Sequence, residues 1–322
     1  MILILPTAGK GTRLRPHTLI IPKPLLKFAG KPMIFHAIDS LISLPIEKII
    51  LVISRDGEEV FKSVKENYKI PVDFVIQEEP LGLAHAIFLA LEKVKKDEEI
   101  LILLGDTIIE SDFKNFNENF IGLYPVNDPS RFGVALCEGE RIIKLVEKPK
   151  EYISNLAIAG IYFFKKPFEL KEAIKEIIEK DIKTKGEYQL TDAIELLIEK
   201  GIYIRKEDIK KWLDCGTKEF LLSTHREILT KNTKNLGKIE NSLIIKPCYI
   251  EENSFIKDSI IGPFVSIGKN TRIENSIIKD SIIGEFTEIY SLNIKDSIIG
   301  NNAKISGNER ELNISDFSEV KF

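Results

Sequence analysis

Short aliphatic runs alternate with amphipathic stretches through the first hundred residues, and that alternation predicts repeated strand–helix units. Ile2–Leu5 reads as a buried strand, and Lys48–Ile53, Val72–Ile76 and Ile100–Leu104 read as strands. Between them, Met33–Leu44, Gly57–Tyr68 and Leu83–Val94 carry apolar residues at helical spacing. In the first of these helices Ile34, Ala37, Ile38, Leu41 and Ile42 share one face, and Pro32 suits the first turn. Such units build an α/β fold: a mostly parallel sheet with helices on both faces, whose ligands gather at the carboxyl ends of the strands.

The pattern then turns to strands at Gly133–Cys137, Ile142–Val146 and Ala157–Phe164, followed by helices at Pro167–Glu179, Leu190–Glu199 and Lys218–Leu229. These read as an insertion and a closing region around the same sheet. Residues 230–238 (TKNTKNLGK) are polar and apolar-poor, which suggests a linker.

After Lys238 the period changes. Ile-Lys-Asp-Ser-Ile-Ile-Gly occurs at 256–262, 278–284 and 294–300, and Ile-Glu-Asn-Ser at 239–242 and 273–276. Isoleucines recur six apart at Ile244, Ile250 and Ile256, at Ile261, Ile267 and Ile273, and at Ile283 and Ile289. A hexapeptide period is the signature of a parallel β-helix, with three faces per coil of about 18 residues and stacked aliphatic side chains along the axis. The intervals of 22 and 16 between the long repeats suggest imperfect coils with at least one insertion.

Composition narrows the function. About one residue in six is isoleucine and lysine outnumbers arginine roughly fourfold, a bias shared by heat-adapted and AT-rich sources. A net charge of −3 argues against binding nucleic acid through gross charge. No apolar run is long enough for a membrane span, and Met1–Pro6 lacks the marks of a signal peptide. Cys137, Cys215 and Cys248 are widely spaced, as expected of reduced thiols in the cytoplasm.

Five strings carry candidate chemistry. Gly9-Lys10-Gly11-Thr12-Arg13 follows the first strand, where glycines let backbone N–H groups approach a phosphate. It matches neither the dinucleotide fingerprint nor the Walker A spacing. Lys23 lies between Pro22 and Pro24, which would hold its ammonium on a stiff extended backbone. Asp106 ends an aliphatic strand, a natural place for a Mg²⁺ carboxylate, with Asp214 of Trp212–Gly216 as its proposed partner. Glu147-Lys148-Pro149 and Gly186–Asp192 supply polar groups suited to a sugar and its phosphate.

Read in order, AGKGTRLRPHT, PKPLLKFAGKPMI, QEEPLGLAHAI, LLGDT, DPSRFGV, LVEKP, LAIAGIYFF, KGEYQLTDAI and WLDCGT resemble the sugar-1-phosphate nucleotidyltransferases, or sugar-nucleotide pyrophosphorylases. This likeness covers residues 1 to about 225. The tail resembles the left-handed β-helix of the long form of glucose-1-phosphate thymidylyltransferase. The resemblance implies a Rossmann-like catalytic domain over residues 1–230 and a left-handed parallel β-helix over residues 239–322. It also implies Mg²⁺ as cofactor, a nucleoside triphosphate and a sugar 1-phosphate as substrates, and a homo-oligomer, with no nucleic-acid or membrane partner.

By the same resemblance, Ala8, Gly9, Lys10, Gly11, Thr12 and Arg13 would wrap the triphosphate, and Gln77 and Gly82 would read the base. Arg13, Lys23 and Lys148 would be catalytic, with Lys148 on the sugar phosphate. Gly133, Glu147, Gly160 and Glu187 would line the sugar site, and Asp106 and Asp214 would hold the metal. A phosphate nucleophile is already ionised, so such a site needs positioning and positive charge but no general base.

Pro6-Thr7-Ala8-Gly9 departs from the family's Leu-Ala-Gly-Gly and is closer to bacterial UTP–glucose-1-phosphate uridylyltransferases, so uridylyl transfer stays open beside thymidylyl transfer. Thr107 stands where Asn is common. A non-catalytic NDP-sugar-binding paralogue would show erosion of Arg13, Lys23, Asp106 or Asp214, and all four are present. A glycosyltransferase would be expected to carry Asp-x-Asp where this chain has Asp106-Thr107-Ile108. The four histidines are His17, His36, His85 and His225, so a tail acyltransferase relying on a histidine base is not expected.

Overall fold

β1 (Ile2–Pro6) runs through a nine-stranded sheet, and its side chains alternate between two apolar layers. The elements that follow are α1 (Met33–Asp39), β2 (Lys48–Ile53), α2 (Glu58–Asn67), β3 (Val72–Ile76), α3 (Leu83–Leu91) and β4 (Ile100–Leu103). β1 pairs in parallel with β2 on one side and β4 on the other, and β2 pairs in parallel with β3. Because strand side chains alternate, Ile2 and Ile4 pack with Ala84, Ile87 and Ala90 of α3, while Leu3 and Leu5 pack with Ile34 and Ile38 of α1 and Val60 and Val64 of α2. Helices therefore cover both faces. α1 is shorter than its periodicity suggests, because the chain leaves the helix after Asp39 and passes through turns to Leu44.

The chain continues through β5 (Thr107–Glu110), β6 (Phe120–Pro125), β7 (Gly133–Glu138), β8 (Arg141–Glu147) and β9 (Leu156–Phe164). It then forms α4 (Pro167–Glu179), α5 (Leu190–Glu199), β10 (Arg205–Asp208), β11 (Lys211–Asp214) and α6 (Lys218–Lys231). The large sheet has the order β3-β2-β1-β4-β9-β6-β10-β8-β7. It is parallel from β3 to β4 and mixed beyond, since β9 runs antiparallel to both β4 and β6. Leu170, Ala173, Ile174 and Ile177 of α4 and Leu190, Ala193, Ile194 and Leu197 of α5 form buried stripes on the α3 side. β5 and β11 stand apart as a two-stranded antiparallel sheet. Strands β5, β6, β10 and β11 were not among the expected elements. Short strings without alternation, such as Arg205–Asp208 and Lys211–Asp214, become strands by pairing with a distant partner.

The computed structural model describes residues 1–113 and 115–307, so the end of the expected β-helix, 308–322, lies outside the described residues, which fall into two compact units. One comprises Met1–Leu26 and Lys31–Leu221; the other joins Lys27–Gly30 to the chain from Leu222 onward, so the division falls within α6. Among the described residues no helix is long and apolar enough to cross a membrane.

The second unit contains three stacked parallel sheets, the left-handed β-helix that the hexapeptide period encodes. Its interior is three columns of isoleucine. Ile239, Ile256, Ile273, Ile289 and Ile305 are successive partners in one sheet. Ile250, Ile267, Ile283 and Ile299 form the second column, and Ile244, Ile261, Ile278 and Ile294 the third. Serine hydroxyls join successive coils at spacings of 17 and 16 residues, so the coils are tighter than the expected 18. The interval of 22 is not an insertion. The first copy of the seven-residue string occupies Phe255–Lys257 and Ile260–Ile261, whereas the second occupies Ile277–Lys279 and Ser281–Ile283, one coil and one face further on. The linker expected at 230–238 is also corrected: α6 runs to Lys231, and Lys234–Asn235 and Lys238–Glu240 are the first strands of the coil. Their pairing is with backbone one coil away, which a polar composition does not prevent.

The repeated Asn-Ser and Asp-Ser pairs turn the corners. Asn241, Asp258, Asn275, Asp280 and Asp296 all have positive φ, a conformation Asn and Asp tolerate better than most residues. The following serines couple the coils. Ser242, Ser259 and Ser276 each donate to the carbonyl two residues back and accept the N–H of the next coil, from Ser259, Ser276 and Leu292. Within this same unit Lys27 bridges Glu251 (2.7 Å) and Glu285 (2.8 Å), and Ser266 Oγ accepts the Ala29 N–H and contacts His225 Nε2 at 2.7 Å.

Candidate functional site

A cavity of about 360 Å³ opens in the first unit at the carboxyl ends of β1 and β4. The loop after β1 supplies Ala8, Gly9, Gly11, Thr12 and Arg13 to its wall. Gly11 has φ +60, and a side chain there would press on Lys23 Cβ at 3.0 Å, so this glycine lets the loop close against the lysine turn. The Thr18 hydroxyl donates to the Gly11 carbonyl at 2.8 Å. Lys10 is exposed and outside the lining. Lys23, expected on an extended backbone, begins a 3₁₀ turn over Lys23–Leu25; only Pro22 before it is extended.

Lys23 Nζ forms an ion pair with Asp106 Oδ2, and both residues line the cavity. Asp214 arrives from the separate two-stranded sheet of the same unit. β5 and β11 pair with Thr107 opposite Asp214, and the Cys215 N–H donates to the Asp106 carbonyl at 2.9 Å. Burial, then the neighbouring Asp106 carboxylate, push the Asp214 carboxyl up to about 6, against the pull of the Gly216 N–H (2.8 Å), Lys23 and Arg13. A β-carbon at Gly216 would lie 3.0 Å from Asp214 Oδ1 and 3.3 Å from Arg13 Nη2, so the two side chains flank one glycine.

A carboxylate beside a second, part-buried one whose charging that neighbour opposes suits a divalent cation. Among the described residues no group of three or more His, Cys, Asp or Glu is placed to hold a metal. Two carboxylates fit a divalent cation whose remaining ligands are phosphate oxygens and water.

Gln77, at the end of β3, is 6% exposed. Its Nε2 donates to the Gly82 carbonyl at 3.1 Å and lies 3.2 Å from His85 Nδ1. Gly82 precedes α3 with φ +120, and any side chain there would collide with the Tyr188 backbone at 2.5 Å. That close approach is closed by two backbone bonds, Tyr188 N–H to Leu81 and Ala84 N–H to Tyr188, and it brings Glu187 into the lining.

The remaining expected residues form a second polar group outside that lining. Gly133 pairs with Glu147 across β7 and β8. Glu147 accepts the Thr191 hydroxyl at 2.8 Å and contacts Lys148 Nζ at 3.3 Å. Gly160 accepts the Leu104 N–H at 3.0 Å, and Leu104 lines the cavity. Sequence reasoning missed Thr7, Leu83, Ala86 and Gly216 of the lining, and Thr191 and His85 behind it. All six lay within strings already singled out, but nothing in those strings set them apart from their neighbours.

Comparison with known proteins identifies the family. Residues 2–231 match the nucleotidyl transferase family model, and residues 232–289 match the model for a GlmU-like C-terminal hexapeptide. A glucose-1-phosphate thymidylyltransferase of Streptomyces antibioticus is 31% identical over 92% of this chain and 91% of its own length. The bifunctional protein GlmU of Methanococcus maripaludis strain C7 is 39% identical over 78% of this chain, which spans 60% of that protein. The crystal structure of a putative glucose-1-phosphate thymidylyltransferase from Bacillus anthracis, in complex with a sucrose, matches with a TM-score of 0.60 and 29% identity, covering 70% of this chain and 94% of that one. The chain belongs to the nucleotidyl transferase family. Within it, the matches support sugar-phosphate nucleotidyltransferase activity.

Proposed function

We propose that this chain transfers a thymidylyl group from dTTP to glucose 1-phosphate, giving dTDP-glucose and pyrophosphate. The supporting observation is the cavity in which the glycine-rich loop, Arg13 and Lys23 face Asp106, in a chain whose likeness to a thymidylyltransferase extends through the hexapeptide tail. An oxygen of the sugar phosphate attacks the α-phosphorus in line. The new P–O bond forms as the bond to the β-phosphate oxygen breaks, and pyrophosphate leaves with that electron pair.

In this reading the Gly9–Thr12 backbone and Arg13 bind the triphosphate, Lys23 offsets charge on the reacting phosphates, and Lys148 holds the sugar phosphate, beside Glu147. Gln77 and Gly82 meet the base; Gly133, Gly160 and Glu187 bound the sugar. Mg²⁺, held by Asp106 and Asp214, would add charge stabilisation on the phosphates. The β-helix is structural, oligomeric or regulatory. Its one nearby histidine, His225, is fully buried, and acetyl-CoA-dependent transfer to a sugar phosphate would refute that assignment.

A second reading is uridylyl transfer, favoured by Pro6-Thr7-Ala8-Gly9. Pyrophosphate release measured across dTTP, UTP, CTP and GTP with several sugar 1-phosphates decides between them. The highest kcat/KM with dTTP and glucose 1-phosphate is expected. A higher value with UTP replaces the first reading by the second, and no turnover with any pair favours a binding protein that retains the fold.

A further inference from the structure

Gln77 presents an amide to the cavity, and an amide can offer either an acceptor or a donor depending on which way it is turned. Its orientation here is determined by its neighbours. The atom facing the Gly82 carbonyl must be Nε2, because a carbonyl only accepts. The second N–H of the same Nε2 points at His85 Nδ1, 3.2 Å away. His85 Nδ1 must then accept, which requires a neutral imidazole carrying its proton on Nε2. Burial lowers the His85 pKa, against the opposing charge of Glu79, and so favours that neutral form. With both amide hydrogens occupied, Oε1 is the polar atom of Gln77 left over for a ligand.

We propose that His85 is a positioning residue that locks the Gln77 amide with Oε1 toward the ligand, and that the cavity thereby selects a pyrimidine whose N3 carries a hydrogen, the uracil or thymine type, over cytosine. The inference rests on the reading of this cavity as the nucleotide site. Uracil and thymine present N3–H, a donor that Oε1 accepts, whereas cytosine presents a bare N3 that would face Oε1 lone pair to lone pair. Turning the amide over would reverse the preference. The Gly82 carbonyl and His85 oppose that turn together, and without His85 half of the restraint is gone. His85 touches no reacting atom in this arrangement. It acts through Gln77.

The test is nucleotide selectivity in the full-length protein with glucose 1-phosphate. His85→Leu, which cannot accept a hydrogen bond, should lower the ratio of kcat/KM for dTTP or UTP to that for CTP by roughly five- to tenfold, the weight of one hydrogen bond. His85→Gln, which restores an acceptor oxygen, should recover most of the ratio. A ratio unchanged in His85→Leu overturns the proposal, and so does an equal loss in both variants, which would mark a packing role. Nitrogen-15 spectra of the wild-type imidazole give a readout independent of turnover: a proton on Nε2 with Nδ1 bare is expected, and the opposite tautomer also overturns it. Wild type inactive with every nucleotide would instead defeat the nucleotide reading of the cavity, an outcome distinct from an unchanged ratio in an active enzyme.

Discussion

Asp106 and Asp214, separated by more than a hundred residues of chain, meet because the Cys215 N–H donates to the Asp106 carbonyl where β11 pairs with β5. The pairing brings Asp214 close to the cavity-lining Asp106 and leaves it with a carboxyl pushed up to about 6 by burial and by its neighbour. Asp106→Asn and Asp214→Asn should each lower Mg²⁺-dependent turnover roughly a hundredfold or more, the scale expected when charge stabilisation of transferred phosphates is lost. Circular dichroism should show the fold intact. Near-normal Mg²⁺-dependent rates in either variant would remove that residue from the metal role.

Gly82→Ala tests the close approach between the loop before α3 and Tyr188. The added carbon would sit 2.5 Å from the Tyr188 carbonyl oxygen in a backbone conformation at φ +120. A loss of about 1–3 kcal/mol in stability is expected from strain of this kind. The nucleotide KM should rise more than the sugar-phosphate KM, because Gln77 is held through the same carbonyl. Equal effects on both KM values would count against the assignment of this wall to the base.

Ile273→Ala should leave a hole in the middle of a five-residue isoleucine column, with Ile256 below it and Ile289 above. The side chain is fully buried, so the loss should be about 2–5 kcal/mol, read by chemical denaturation. Ile273→Val should lose only about 0.5–1.5 kcal/mol. A similar cost for both would argue that the column is loosely packed.

Glu176 supplies the pH test of stability. The Lys180 and Lys200 ammonium groups hold its carboxyl down at about 2. A depressed acid contributes stability above its unfolded value near 4.5, and the contribution is lost as the pH falls toward 2. Glu176→Gln should therefore melt slightly below wild type at pH 7, with the gap closing on acidification between those values. A gap independent of pH would show that the ion pairs are not its source. The effect is small because the group faces water.

Much of this architecture was legible in the sequence wherever local periodicity and burial coincide. β2, α4 and α5 lie where hydrophobic spacing puts them, since each buries a stripe wide enough to mark itself, and β3, though only half-buried at the sheet edge, keeps the apolar run that marks it. The β-helix was legible too, because every coil repeats the same demand for an inward isoleucine, a corner that tolerates positive φ and a serine that reaches the next coil. The length of a coil was not, as it depends on how tightly corners close. β10 and β11 were invisible: Arg205–Asp208 and Lys211–Asp214 carry no alternation, and their strand character comes from partners far along the chain.

The site divides the same way. The glycine-rich loop, Lys23 and Asp106 stood out because their chemistry is compressed into short strings at strand ends. Taken alone, each string also fits a plain turn, a surface lysine or a helix cap. Sequence by itself determined the class of side chains available and the repeated geometry of the tail, because both arise from residues close together in the chain. Only the tertiary structure decided that Lys23 pairs with Asp106, that Asp214 lies close enough to feel the Asp106 charge and that Gln77 lies 3.2 Å from His85. Hydrogen bonds and charges act over a few ångströms of space, and contacts between distant segments exist only once the sheet has brought its strand ends together.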